Sequence, residues 1–584
     1  MKSWSGRLIA CGALFATSVS GAQPGTIVFV DDDAPLGGNG SSWASAYRFL
    51  QDALDPGDDA AETPAQIRIA GGTYLPDRSS ASPGGTGDRT AAFVLVDGVS
   101  VLGGFAGLAD PAKPDLRALD AFPTVLSGDL AQDDMNTDGD DVKGDNAYHV
   151  IESWGSSAET VVDGVTVTGG WADRDISDGW FPLRRDDSGG GAVLAGSDAV
   201  FRDVTFVGNH AQANASVLID TGTGPFADAE AGGGAVLISQ GAPRFERCMF
   251  VSNTANRTGG AVSVTRSAAV FEACSFFRNR VGLEGFFDIS FGGALHDASA
   301  DFFAGTGLLV SRGVFIGNRA AGDGPATGDG GAISYIFSLG QYRNCLILAN
   351  DATGFGGGVF ADNISDVRIA NTAIVGNTSG SRAAGIYDFS EVADRCLVTN
   401  SIVWGNRSAT PGTFVNEQME SQNANFDIRD TIIERFSEEP VAAFNVERVR
   451  EDDPLFRDTL GPDGVVWTGD EDLRFGSNSP AVDSGNNALL TNNDSQDLLG
   501  QPRRLDDEFA PDIGLGVAPI VDLGPYERER CRADVNDDGR LTPADFNAWV
   551  LAFNNGAIEA DQNLDTFVAP ADFNAWVLNF NTGC

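Results

Sequence analysis

Between residues 189 and 406 the apolar and polar positions fall into short alternating runs, punctuated by two beats that take turns. One beat is a glycine cluster running into an apolar residue: Gly189-Gly190-Gly191-Ala192-Val193, Gly232-Gly233-Gly234-Ala235-Val236, Gly259-Gly260-Ala261-Val262, Gly292-Gly293-Ala294-Leu295, Gly330-Gly331-Ala332-Ile333 and Gly356-Gly357-Gly358-Val359, with a worn copy at Ala384-Gly385-Ile386. The other places an apolar residue three positions before an asparagine: Phe206/Asn209, Phe250/Asn253, Phe276/Asn279, Phe315/Asn318, Ile347/Asn350, Ile374/Asn377 and Val403/Asn406. Successive asparagines lie 44, 26, 39, 32, 27 and 29 residues apart. A unit of roughly 26 residues with loop insertions accounts for this spacing, and a period of that size signals a solenoid.

Each beat predicts a corner. Glycines supply the positive φ or the close backbone approach that every coil needs at the same bend. An asparagine at one fixed corner stacks on its neighbours amide to amide, in a hydrogen-bonded ladder. The residues ahead of each asparagine alternate as in a strand, so Cys248, Phe250 and Ser252 face one way and Met249 and Val251 the other. The predicted fold is all-β, a parallel β-helix. The repeated G-G-A-[IVL] and F-x-x-N tetrapeptides resemble those of right-handed β-helix proteins of the pectin-lyase-like superfamily, including the chlamydial polymorphic outer-membrane proteins. That resemblance implies a right-handed parallel β-helix solenoid, secreted or displayed on a surface. It leaves the activity open, because this scaffold carries lyases, hydrolases and adhesins alike.

The solenoid is expected over residues 23–526. Residues 25–56 read as its entrance cap: a strand at Ile27-Val28-Phe29-Val30, an acidic break at Asp31-Asp32-Asp33, a turn from Gly37 to Gly40, then a helix. Ser41 or Ser42 would cap that helix, whose Trp43, Tyr47, Leu50 and Leu54 recur at helical spacing and cover the open strand edge. Segments 67–74, 99–105 and 161–170 resemble the opening coils of the same family. From 414 to 526 the glycine beat fades, and segments 452–456, 479–485 and 521–527 are similar to the closing segments of bacterial β-helix proteins, which implies last coils and an exit cap. Cys248, Cys274 and Cys345 each stand five residues before a ladder asparagine and so point inward, either as stacked thiols or with a Cys248–Cys274 disulfide; Cys396 falls outside that register.

Two regions carry metal-binding patterns. Asp134, Asn136, Asp138 and Asp145 stand at positions 1, 3, 5 and 12 of a calcium-type loop with Gly139 at position 6, the alternative being a plain acidic loop. Residues 531–584 form a separate unit duplicated at a period of 27, as from Asp534 to Asp561. The first copy offers Asp534, Asn536, Asp538, Asp545 and the carbonyl of Arg540; the second offers Asp561, Asn563, Asp565, Asp572 and the carbonyl of Phe567, with Thr566 where the first has Gly539. Such spacing wraps hard oxygen donors round one Ca2+ per loop. Each loop runs into a helix whose Phe, Trp and Val (Phe546, Trp549, Val550; Phe573, Trp576, Val577) share a face. Cys531 and Cys584 bracket the unit, a placement that suits a disulfide in a domain this small. The unit resembles a type I dockerin of the subset ending in Gly-Cys, a small α-helical calcium-binding domain. The resemblance implies a cohesin-like or other anchoring protein as partner, contacted through Pro543, Ala544, Pro570 and Ala571.

Composition narrows the partners. Lys plus Arg number 38 against 82 Asp plus Glu, a net charge of −44 that becomes −46 without Lys2 and Arg7, which disfavours nucleic acid and anionic lipid and favours divalent cations. Residues 1–22 read as a secretory signal, with Lys2 and Arg7 before an apolar run from Leu8 to Val19 and Ser20-Gly21-Ala22 as the cleavage site; Leu8-Ile9-Ala10-Cys11 also resembles a lipoprotein box. No later segment has the roughly 18 apolar residues of a membrane span. Two functions fit. One is a secreted, dockerin-anchored surface protein acting in adhesion or glycan binding without catalysis. The other is a polysaccharide lyase or glycoside hydrolase delivered by the same tail. The first is favoured because no residues form a lyase or glycosidase pattern, His296-Asp297 reading as a surface pair and His149 and His210 as weaker still.

Overall fold

Strands of three or four residues are too short to persist alone, and here each is held by the equivalent strand one coil away. Phe206 pairs with Phe250, and the same column continues through Phe276, Phe315, Ile347, Ile374 and Val403 without a slip of register. The computed structural model describes residues 26–55, 64–134, 144–174, 188–212, 232–282, 290–298, 307–322, 327–336, 338–362, 367–389, 396–409, 417–421, 426–438, 444–476, 478–492, 494–507, 510–528, 531–536, 541–563 and 567–582. The expected signal segment with Cys11, and Asn136, Asp138, Asp538, Arg540, Asp565 and Cys584, lie outside these. Parallel pairing builds sheets of 23, 10 and 8 strands that wrap one interior, the largest bent into two faces. The chain is a parallel β-helix, with the right hand that parallel crossovers take.

Three columns hold the coils in register. Phe206, Phe250, Phe276 and Phe315 stack face to face at 5.2, 4.7 and 4.5 Å, beside a second stack of Phe201, Phe245 and Phe271. Burying each ring contributes about 1.5–3 kcal/mol, so the stacks dominate the core. The asparagine ladder forms as expected. From Asn209 to Asn377 each Nδ2 and each backbone N–H donates to Oδ1 of the next asparagine, at 2.9–3.1 Å. Gln418, which the repeat did not point to, ends the run: Asn406 Nδ2 donates to its Oε1 at 2.8 Å.

The glycines divide their work. The first of each pair takes positive φ, as at Gly292 (+70°) and Gly330 (+71°), while a Cβ on the second, Gly293, would lie 2.0 Å from the Gly331 carbonyl oxygen of the next coil. In the worn copy Ala383 occupies the first position with φ +41°. Residues before the ladder asparagines are also left-handed, including Ser252 at +52°, which ends the alternation there instead of pointing inward with Phe250.

Other expectations are corrected. Trp43 to Leu54 does not form one helix: Tyr47 bridges Val30, exchanging backbone bonds with Phe29 and Asp31, so helix α1 is confined to Leu50–Leu54. The Asp31-Asp32-Asp33 break is a clamp, since Asp31 accepts from Leu108 N–H and Asp32 from Thr73 N–H. Cys248, Cys274 and Cys345 are thiols. Burial and the adjacent Cys274 push Cys248 well up, and burial pushes Cys345 to about 12, so both stay protonated and unreactive. Gly313 stands between Cys274 and Cys345 in their column, which interrupts the stack.

The last coil is built from Phe426–Ile433 and Asn445–Arg450, and Arg448 and Arg450 of its final strand donate to the Ser484 and Pro480 carbonyls of the following segment. Leu473, Phe475, Ala481, Val482, Leu523 and Tyr526 pack on outward-facing Leu346, Leu348, Ala373, Val375 and Ile402, so the exit cap runs back along the flank. A buried Arg343–Asp494 ion pair (2.8 Å) pins it there.

Candidate metal centres

In the C-terminal unit the sequence starts each helix with a carboxylate. Helix α2 (Pro543–Asn555) opens on a capping box: Thr542 Oγ1 accepts from Ala544 N–H, and Asp545 Oδ2 accepts from Thr542 N–H at 2.7 Å. Asp545 Oδ1 also takes the Asn536 N–H at 3.4 Å, which ties the start of the first loop to its end. Helix α3 (Ala571–Thr582) repeats this: Asp572 accepts from Ala569 N–H through Oδ2, and from Gln562 and Asn563 N–H through Oδ1. Asp534, Asp545, Asp561 and Asp572 are all buried. Each loop thus folds back so that its twelfth carboxylate holds the backbone of its third residue, and the buried carboxylates at positions 1 and 12 are donors of the type a hard divalent cation takes.

The two halves hold each other. Trp549, on the helix after the first loop, donates Nε1–H to the Ala560 carbonyl at the mouth of the second; Trp576 donates to the Ala533 carbonyl at the mouth of the first, at 3.2 and 3.1 Å. Of the Phe, Trp and Val on each helix face the tryptophans are the most buried, with Ala560, Val535 and Val568 around them, and Phe546 and Phe573 pack against them at 5.3–6.2 Å. Phe546 and Phe573 remain 38% and 42% exposed, and Val550 and Val577 36% each. Pro543, Ala544, Pro570 and Ala571 are exposed beside them. Cys531 is disulfide-bonded.

At the start of the loop, Asp134 is joined by two carboxylates that its spacing did not point to. Oxygens of Asp129, Asp133 and Asp134 lie within 4.8 Å of one another. Burial raises the Asp134 pKa, a hydrogen bond from Asn146 lowers it in part, and the charges of Asp129, Asp145 and Asp133 raise it further. Oδ1 of Asp134, of Asp145 and of the buried Asn146 accept no hydrogen bond from a described residue. Asp129 and Asp133 were missed because they precede the motif; only the chain's fold-back at Ser127–Asp134 brings them in.

The histidines are interior. His296-Asp297 is not a surface pair: the strand Leu295–Ala298 sends Leu295 and Asp297 inward, where Asp297 Oδ2 accepts from Ser338 Oγ (2.6 Å) and Tyr342 Oη (3.0 Å). His296 Nδ1 lies 2.8 Å from Ser334 Oγ and His149 Nδ1 3.0 Å from the Gly189 carbonyl. His210 stacks on Trp171 at 3.8 Å, and burial lowers its pKa to about 3. The unfolded chain takes up this proton as pH falls through about 6.5 and the folded chain does not until about 3, so the stabilisation is complete above 6.5 and lost below it. Urea unfolding at pH 7 and pH 5 is therefore expected to cost the parent about 2 kcal/mol more than His210→Gln.

No protein-family model and no curated protein sequence matches the chain. Among solved structures it is similar to pectate lyase Pel9A, at 12% identity and a TM-score of 0.41 over 86% of this chain and 96% of that one. It is also similar to the tailspike protein gp49 of Acinetobacter baumannii bacteriophage Fri1, a capsular polysaccharide depolymerase, at 12% identity and 0.32 over 74% of this chain and 63% of the tailspike. A third similarity is to PfbA, a surface adhesin of Streptococcus pneumoniae, at 11% identity and 0.23 over 73% of this chain and 81% of that one.

Proposed function

We propose that the protein is a secreted, non-catalytic surface protein whose β-helix presents a face for glycan binding or adhesion, and whose tail is a calcium-ordered, dockerin-like anchor. The observation that carries this reading is the duplicated apolar row on the tail. Pro543, Ala544, Phe546 and Val550 face water, and so do Pro570, Ala571, Phe573 and Val577 one repeat later, with Phe546 and Phe573 rings 6.0 Å apart. A soluble chain keeps such a patch when a partner covers it. A cohesin-like or other anchoring protein fits, because a two-fold repeated surface offers either copy to one binding site. Ca2+ at Asp534, Asn536, Asp545, Asp561, Asn563 and Asp572 would neutralise the buried carboxylates, and the same ion suits Asp134 and Asp145 with Asp129 and Asp133.

Hydrogen exchange on the full chain tests the tail. Chelating calcium should collapse amide protection in residues 541–582 by at least tenfold, and Asp545→Asn with Asp572→Asn should reproduce that loss in calcium. Unchanged protection would remove the anchor reading. Release of unsaturated sugars or reducing ends from acidic polysaccharides by the purified protein would instead favour a lyase or hydrolase.

A further inference from the structure

The exit cap contains a carboxylate that nothing in the cap balances. Asp483 follows Ala481 and Val482, which are fixed in the apolar cluster on the solenoid flank. Its backbone is held in the left-handed region at φ +47°, its N–H donating to Asp522 Oδ1 at 2.7 Å and its carbonyl accepting from Ile513 and Gly514. The side chain is therefore aimed by the main chain. It is 0% exposed, and neither carboxylate oxygen accepts a hydrogen bond from any described residue. Exposed Asp506 and Asp512 each bring an oxygen to it, all three lying within 4.8 Å of one another.

Three carboxylates so placed repel one another. Burial first, then the charges of Asp506, Asp512 and Asp507, raise the Asp483 pKa to about 7, and the Asp507 amide offsets only part of this while falling short of hydrogen-bond geometry. The cap's buried arginines are engaged elsewhere: Arg503 with Glu527 and the Asp522 and Gly524 carbonyls, Arg528 with Asp507. A buried carboxylate must then take up a proton or a cation. The spacing admits a cation: oxygens bound to one calcium at about 2.3–2.6 Å stand no more than about 5 Å apart, and the triad lies within that limit. With oxygen donors alone, a hard divalent ion is preferred over zinc or copper.

We propose that Asp483, Asp506 and Asp512 form a calcium site that fastens the exit cap, independent of the tail loops. The ion draws Asp506 and Asp512 onto Asp483, whose own carbonyl holds the Ile513 and Gly514 amides, so the turn is fastened from both sides.

The test counts ions on the full-length protein by equilibrium dialysis against calcium. Asp506→Asn with Asp512→Asn, both exposed and therefore tolerated by the fold, should bind one calcium fewer per chain than the parent, with circular dichroism unchanged. An equal count would overturn the site. Asp483→Asn gives a second, sign-dependent reading. In chelator it should melt higher than the parent, because a buried charge is gone, and in calcium it should melt lower. Parallel shifts in both buffers would mean a structural role only and would also overturn the proposal. The tail ligands are untouched by these substitutions, so loss of the tail's ions is read separately.

Discussion

Asn279→Ala is expected to lower the unfolding free energy of the solenoid by about 3–5 kcal/mol, read by urea denaturation. The side chain is fully buried and makes every hydrogen bond its amide permits. Oδ1 accepts the N–H and Nδ2–H of Asn253, both at 3.0 Å, while Nδ2 donates to Asn318 Oδ1 at 3.0 Å and to the Phe250 carbonyl at 2.9 Å. Truncation strands two donors on one coil and a carbonyl on the same coil, each costing about 1–3 kcal/mol when water cannot reach it. Asn279→Asp should fare no better. It restores the acceptor for Asn253 but turns an oxygen toward Asn318 Oδ1 and the Phe250 carbonyl, where only donors are stable. A loss under about 1 kcal/mol for either variant would mean the ladder is an ornament of the fold and not its spine.

Gly293→Ala should be worse, with a loss above about 3 kcal/mol or no soluble protein. The added Cβ would meet the Gly331 carbonyl oxygen at 2.0 Å and the Arg319 backbone at 2.6 Å, and backbone cannot swing aside as a side chain can. Relief requires the coils to part, which breaks Gly293 N–H to Gly330 O and Ala294 N–H to Ala332 O. Gly317→Ala is the matched control. Its φ is +65°, yet a Cβ there would meet only the Arg278 side chain at 3.6 Å, so the cost is confined to the left-handed backbone, about 1–2 kcal/mol. Arg278 and Ala349 already occupy the equivalent corner of their own coils at +53° and +55°. Equal losses for the two glycines would contradict the division between glycines needed for φ and glycines needed for space.

Those two columns were legible in the chain because a solenoid returns to the same corner every turn, and a corner with one chemical requirement selects one residue type. Elements used once left no such trace. Gln418 closes the ladder from a position 12 residues after Asn406, out of step with every other rung, so no periodicity points to it. Tyr47 has the spacing of a helix with Trp43 and Leu50, but the unpaired edge of Ile27–Val30 captures it as an extended bridge, a tertiary contact that outweighs local preference. The exit cap's direction depends on the outward residues Leu346, Leu348 and Ile402 being apolar, which alternation alone reads as one more buried row. In the tail, the ligand spacing was visible in each loop, whereas the crossing of Trp549 and Trp576 onto each other's loops was not, since a local repeat carries no record of which half packs on which. His296-Asp297 was misjudged for a related reason: the pair lies on a strand whose inward column holds Asp297 only because Ser338 and Tyr342 wait for it.

The insertions that stretch the spacing between asparagines from 26 to 44 residues leave every rung between 2.9 and 3.1 Å long. Length is thus tolerated in the connections and nowhere else, which makes the chain a modular rod. Excising Thr254 to Asn279, one minimal turn, would bring Asn253 onto Asn318 and Phe250 onto Phe315 with like meeting like. Duplicating the same cassette would extend the rod by one strand spacing, about 4.8 Å, so its reach is adjustable by copying alone.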